Sequence, residues 1–214
     1  MGKIGFPWLS VDTGGNLGGF SFVKFIDERE AHYEKFIGKI SDEVMHSTDV
    51  KPVHVDIYTF PPAEKRPYYT LLTGGMSDVR QNIPAKFPHL SPRAEILTYV
   101  SKPQGWMYNV LKGLAEMPSD DNTFLHWYHS VPNGKPMTAV PSELTAYFFV
   151  PPYLEDQGFN PMIVGGEKTD FLVLVPITNQ ELNFKREHGA NGLLDKFDQN
   201  NFNYVIDESR KSFV

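Results

Sequence analysis

Apolar positions along the chain change period several times, and each change marks an element. In DEREAHYEKFIGKISDEVMHS, residues 27–47, Tyr33, Phe36, Ile37, Ile40 and Val44 recur at helical spacing. The spacing predicts a helix with one buried stripe, with Asp27 as N-cap and acids in the first turn, where the helix dipole favours them. Before it, the first 26 residues are Gly-rich and read as loop with a short strand at Phe20 to Ile26. From Val53 to Phe60 the period falls to two: Val53, Val55, Ile57 and Thr59 alternate with His54, Asp56, Tyr58 and Phe60. That is a strand with one apolar and one mixed face, stopped by Pro61-Pro62. PYYTLLTGG gives a second strand and RAEILTYV, Arg93 to Val100, a third.

Helical spacing returns in GWMYNVLKGLAEM, with Trp106, Val110, Leu111 and Leu114 on one face and Pro118 as the expected stop. The β-branched and aromatic content of TFLHWYHSV, residues 123–131, favours a strand. ELTAYFFVPP and DFLVLVPI are further strands, and the second, apolar on both faces, is expected at the centre of a sheet. Thr178-Asn179-Gln180-Glu181 is a capping box opening a helix that Gly189 closes at C′. A last short helix carries Leu193, Leu194 and Phe197, and NYVID can add a final strand.

Strands and helices mix without strict βα alternation, and no internal repeat intervenes. The fold class expected is α+β: a mixed, largely antiparallel β-sheet with α-helices packed on it. The organisation expected is one globular unit, residues 51–214, preceded by an extension, residues 1–50, whose single helix packs on it.

Composition narrows the function classes. Of 214 residues, 41% are hydrophobic and 21% charged, the balance of an ordinary globular chain. With no cysteine, disulfides, thiolate metal sites and cysteine nucleophiles are excluded. The N-terminus MGKIGFPWLS lacks a signal-peptide core, and Phe6 stands where a myristoylation signal needs Ser or Thr. Pro151 and Pro152 interrupt the richest apolar run, so no bilayer span is expected and a cytoplasmic protein is. The net charge of −6, with no basic cluster longer than two residues, argues against nucleic acid and favours a basic protein partner.

Chemistry-bearing motifs are few. Gly74-Gly75-Met76-Ser77-Asp78 lacks the Gly-Lys-Ser/Thr of a phosphate loop and the Gly-x-Ser-x-Gly of a nucleophile turn. Gly74, Gly75, Ser77 and Asp78 are therefore expected to form a structural turn, with positive-φ glycines and an Asx-type bend. His126 and His129 stand three apart, a metal pair on a helix but on opposite faces of the expected strand. His54 and Asp56 share a strand face and can orient an imidazole, yet no third catalytic member can be assigned. The expectation is no catalytic set, no metal and no cofactor. A partner-binding face combines rings with charge, and Tyr58, Tyr69, Trp127 and His129 are the candidates, in DIYTFPPAEKRPYY and HWYHSVPNG.

Four blocks together resemble the Suppressor of fused domain family: HVDIYTFPPAEKRPYYTLLTGGMSDV, RAEILTYV with the Trp106 helix, NTFLHWYHSVPNGKP, and DFLVLVPITNQELNFKREHGANGLLDKF. The resemblance covers roughly residues 50 to 206. It implies a non-enzymatic binding domain. Animal members bind and restrain a segment of a transcription factor; stand-alone bacterial members, which this length fits better, look like immunity proteins of polymorphic toxin systems. The acidic residue that in the animal protein precedes the Trp127–Ser130 region has no counterpart among Thr123, Phe124, Leu125 and His126, so that peptide specificity is not carried over. The expected role is thus a protein-binding module that neutralises a partner toxin; the alternatives are a small-molecule hydrolase or transferase using a His/Asp pair, or a structural subunit of a complex.

Overall fold

A computed structural model of the chain describes residues 23–41, 43–47, 51, 53–137 and 141–214. The first helix, α1 (Val23–Phe36), lies further towards the N-terminus than its periodicity implies. Asp27 is therefore inside the helix rather than its N-cap, and residues 23–26 of the expected first strand are helical; residues 20–22 lie outside the described residues. The helix stops early because Gly38 adopts φ 135°, and the amides of Ile37 and Gly38 both turn back to the Tyr33 carbonyl. Val44, expected on the helical stripe, instead begins strand β1 (Val44–Met45).

Strands β2 (Asp56–Phe60), β3 (Tyr69–Gly74) and β4 (Arg93–Val100) follow as an antiparallel series. Helix α2 (Gly105–Asp120) passes through Pro118 rather than ending before it. Proline removes one amide donor but its carbonyl still accepts, and here it receives the Thr123 amide at 2.9 Å. The segment after α2 is a second departure: only β5 (Ser130–Pro132) is strand, and residues 123–129 are loop. Tyr128 sits at φ 69° and the His129 amide closes onto the His126 carbonyl, a turn that no extended run permits.

The remaining elements are β6 (Leu144–Val150), β7 (Met162–Val164), β8 (Glu167–Thr178), α3 (Asn179–Gln199) and β9 (Val205–Ile206). The Thr178/Glu181 capping box forms with both reciprocal bonds, and α3 breaks at Gly189, φ 77°. Sheet order is β1-β2-β3-β4-β8-β6-β5, with β7 added to β8 and β9 to β4. Pairing is antiparallel except β4 with β8 and β4 with β9, so the sheet is mixed and largely antiparallel. β8 is interior, and its residues Thr169 to Thr178 are all buried.

Each face of the sheet carries its own core. Tyr33 of α1, Ile37 just after it, and Leu182, Leu193 and Phe197 of α3 pack with Tyr58, Phe60, Tyr99, Phe148 and Phe171 on one face. Met107, Leu111, Leu114 and Ala115 of α2 cover Ile57, Leu71, Ile96, Phe149 and Leu172 on the other. α1 thus shares a core with α3. Among the described residues, no helix is long and apolar enough to cross a membrane.

Candidate functional site

The glycine turn does cradle an anion, and the anion is the chain's own. Gly75, at φ 116°, caps a one-turn 3-10 helix, Met76–Asp78. Its amide and those of Ser77 converge on Glu95 of β4: Gly75 N and Ser77 N donate to Oε1 at 3.0 Å, and the Ser77 hydroxyl at 2.6 Å. The Thr73 hydroxyl donates to Oε2 at 2.6 Å. Two amides of one turn aimed at one point make an anion nest, but Glu95 is fully buried and fills it, which leaves no place for a phosphate. Burial pushes the Glu95 carboxyl up, while Arg29 and the donors of Ser77 and Thr73 hold the rise in check. Asp78 makes no Asx bend; it pairs with Arg29 of α1, which ties the helix to the turn. Gly74 has no positive φ, contrary to expectation; there a Cβ would meet the Tyr58 ring at 2.5 Å.

A cavity of about 540 Å³ opens where three loops meet the start of β8. The β3–β4 loop supplies Phe87, His89, Leu90 and Ser91; the α2–β5 loop supplies Phe124 and His126 to His129; Asn160 and Pro161 precede β7; Lys168 and Asp170 belong to β8. The α2–β5 loop is firmly held. Gln81 clamps Leu125 through both main-chain groups, at 2.7 and 3.2 Å. The Trp127 indole donates to the Phe171 carbonyl at 2.9 Å, and Tyr128 and His129 exchange main-chain bonds with Phe149 at 2.6 and 3.0 Å. Within the cavity His126 Nε2 meets Asp170 Oδ2 at 3.2 Å, both residues buried. Rings line the rest, with Phe124 4.9 Å from His129 and 6.1 Å from Phe87.

The lining combines apolar area with polar groups, the chemistry of a binding pocket. Apolar rings offer area, while His126–Asp170 and exposed Lys168 offer directional polar groups. The His126–Asp170 pair fixes an imidazole, but among the described residues no hydroxyl is bonded to it. Burial pushes the His129 imidazole down, with His126 and Lys185 acting in the same direction. The folded chain therefore holds that proton less readily than the unfolded chain. The resulting stability is complete above the ordinary imidazole range and is lost as pH falls below about 6.5. Thermal melts across that range should show the wild type losing stability on acidification more steeply than H129Q; the variant keeps a smaller slope because burial also lowers His32.

Of the four residues expected on a binding face, two converge here. Trp127 and His129 line the cavity, half-buried. Tyr58 does not: it is 3% exposed, packed against α1 with its hydroxyl on Glu30, so burial removes it as a surface anchor. Tyr69 is half-buried on the α2 face of the sheet, away from the cavity lining. His126 and His129, placed on opposite strand faces by sequence reasoning, instead line one cavity because the segment turns. Phe87, His89, Phe124 and Asp170 escaped notice; the available signal was the ring and imidazole density shared by FPHL, residues 87–90, and TFLHWYH.

Comparison with known proteins agrees with this architecture. The profile of the Suppressor of fused protein (SUFU) family matches residues 51–211. A SUFU homologue from Neisseria gonorrhoeae superposes with a TM-score of 0.70 at 19% identity, over 90% of this chain and 98% of that one. A chain of the Sufu–Fu complex gives 0.63 at 14% identity, over 87% and 89%. Drosophila Suppressor of Fused gives 0.61 at 14% identity, over 90% of this chain but 51% of its own. No curated protein sequence matches the chain.

Proposed function

Because the chain belongs to the Suppressor of fused family, we propose that it is a protein-binding module whose recognition site is the ring-lined cavity at the start of β8. The observation that carries the reading is the convergence of Phe87, Phe124, Trp127 and Tyr128 with His126, His129, Lys168 and Asp170 around one open volume. Aromatic anchors in a desolvated pocket dominate protein recognition, and neighbouring charges select the partner. A relative of the same fold has been solved as the Sufu–Fu complex, which supports a protein as the ligand.

We carry the reading one step further, to an immunity-type protein that binds and neutralises a basic toxin domain in the cytoplasm. The net charge of −6 favours a basic partner. The fold is shared with a bacterial SUFU homologue. The test is co-expression with toxin domains encoded beside the gene, together with binding of each purified domain. Trp127→Ala should weaken the complex by about 2 kcal/mol, roughly 30-fold. Because Trp127 also braces β8, Tyr128→Asn is the cleaner variant: Tyr128 is 38% exposed, and asparagine tolerates its positive φ. It should melt like the wild type and bind more weakly. Wild-type binding by both variants would place the face elsewhere; binding without protection in cells would retain the module and remove the toxin reading.

A further inference from the structure

The far edge of the sheet carries a second cluster, independent of the cavity. Antiparallel pairing of β1 with β2 sets Val44 opposite Tyr58 and Met45 opposite Ile57. Continued by one residue, that register brings His46 opposite Asp56. His54, two residues before Asp56, projects from the same side of the chain. Sequence reading saw only the His54–Asp56 pair, because the third member arrives through strand pairing. His46 Nδ1 lies 3.2 Å and His54 Nε2 3.1 Å from the same oxygen, Asp56 Oδ1. The three ligand atoms lie within 4.8 Å of one another.

We propose that His46, His54 and Asp56 form a binding site for a divalent transition-metal ion, with Zn²⁺, Ni²⁺ and Cu²⁺ as the fitting class. Two imidazoles and one carboxylate are the donors these ions take. Bonds of about 2.0–2.1 Å place neighbouring ligand atoms roughly 2.8–3.4 Å apart at octahedral to tetrahedral angles. The two nitrogen–oxygen separations already fall in that interval. The imidazoles, with side chains 69% and 51% exposed, are free to close on an ion. Asp56 is the fixed member: its side chain is 15% exposed and its Oδ1 accepts the Ser47 amide at 3.3 Å, the kind of outer contact that orients a ligand. Three protein donors leave coordination positions open to water or to a donor from another molecule. The cluster sits at the edge of the sheet, where the chain leaves β1 and enters β2, so such a donor can approach from solvent.

The experiment is calorimetric titration of untagged, chelator-stripped protein with Zn²⁺ alone near pH 7.5, since ligation competes with protons, and a melt with and without the ion. One ion per chain should bind and raise the melting temperature. H46Q and H54Q, at exposed positions, should fold normally and lower the Zn²⁺ affinity more than tenfold. H188Q, at an exposed histidine of α3, should bind as the wild type does. Absence of stoichiometric binding, or binding that survives both H46Q and H54Q, overturns the assignment.

Discussion

Gly75→Ala should destabilise the protein by about 3–5 kcal/mol, and Gly75→Val by more. Two costs combine. At φ 116° an L side chain is strained whatever the surroundings. A Cβ there would also lie 1.9 Å from the His54 carbonyl oxygen and 3.1 Å from its carbon. Those atoms are main chain at the entrance to β2, so relief requires moving a strand rather than turning a side chain. Movement of the turn would in addition draw the Gly75 and Ser77 amides away from Glu95. Gly113 is the control: it lies inside α2 with nothing within 4 Å of a built Cβ. Gly113→Ala should be neutral or stabilising by about 0.5–1 kcal/mol, the ordinary helix preference for alanine. Urea denaturation of the two variants measures the contrast, and a wild-type midpoint for Gly75→Ala would show that the turn is under no such constraint.

Features written in local chemistry were legible in the sequence. β4 appears at its expected bounds, and β8 is interior because a run apolar on both faces has no side to give to solvent. The capping box and the break at Gly189 need only a few neighbouring residues, and both form. Failures came where a distant partner decides. Val44 continues a helical period, but pairing with β2 takes it into a strand. The rings of residues 123–131 imitate a strand, while main-chain bonds to Phe149 and the Gln81 clamp on Leu125 hold residues 125–129 as a loop. The cavity draws on four segments far apart in sequence, so no window of residues displays it. One signal was available and unused: Glu95, a charge between Ala94 and Ile96 in an apolar strand, demanded a buried set of donors.

That carboxylate sets the other large expectation. Glu95→Ala should cost on the order of 4 kcal/mol or more, because four donors would be stranded in a site closed to water. They are the amides of Gly75 and Ser77 and the hydroxyls of Ser77 and Thr73. Arg29, which is 2% exposed and feels the Glu95 charge, would retain only Asp78 as a buried counterion. Glu95→Gln separates shape from charge. An amide oxygen can still accept from Gly75 and Ser77, but the amide nitrogen faces a Thr73 hydroxyl that already accepts the Ile96 amide at 2.8 Å. Its cost should be smaller, about 1–3 kcal/mol, the difference between charged and neutral acceptors plus one lost bond. Acidity supplies the discriminating measurement. Burial raises the folded-state carboxyl above its ordinary 4.5, so just above that pH the native state holds this proton more readily than the unfolded state. The Glu95 contribution to stability therefore rises as pH falls through the folded value, and it levels off below about 4.5. Subtracting the Glu95→Gln stability curve from that of the wild type isolates this contribution from the histidines and from Asp78. A difference that stays flat down to about pH 4.5 would mean that Glu95 is not held as a desolvated carboxylate, and the cradle would then be a packing feature rather than an electrostatic one.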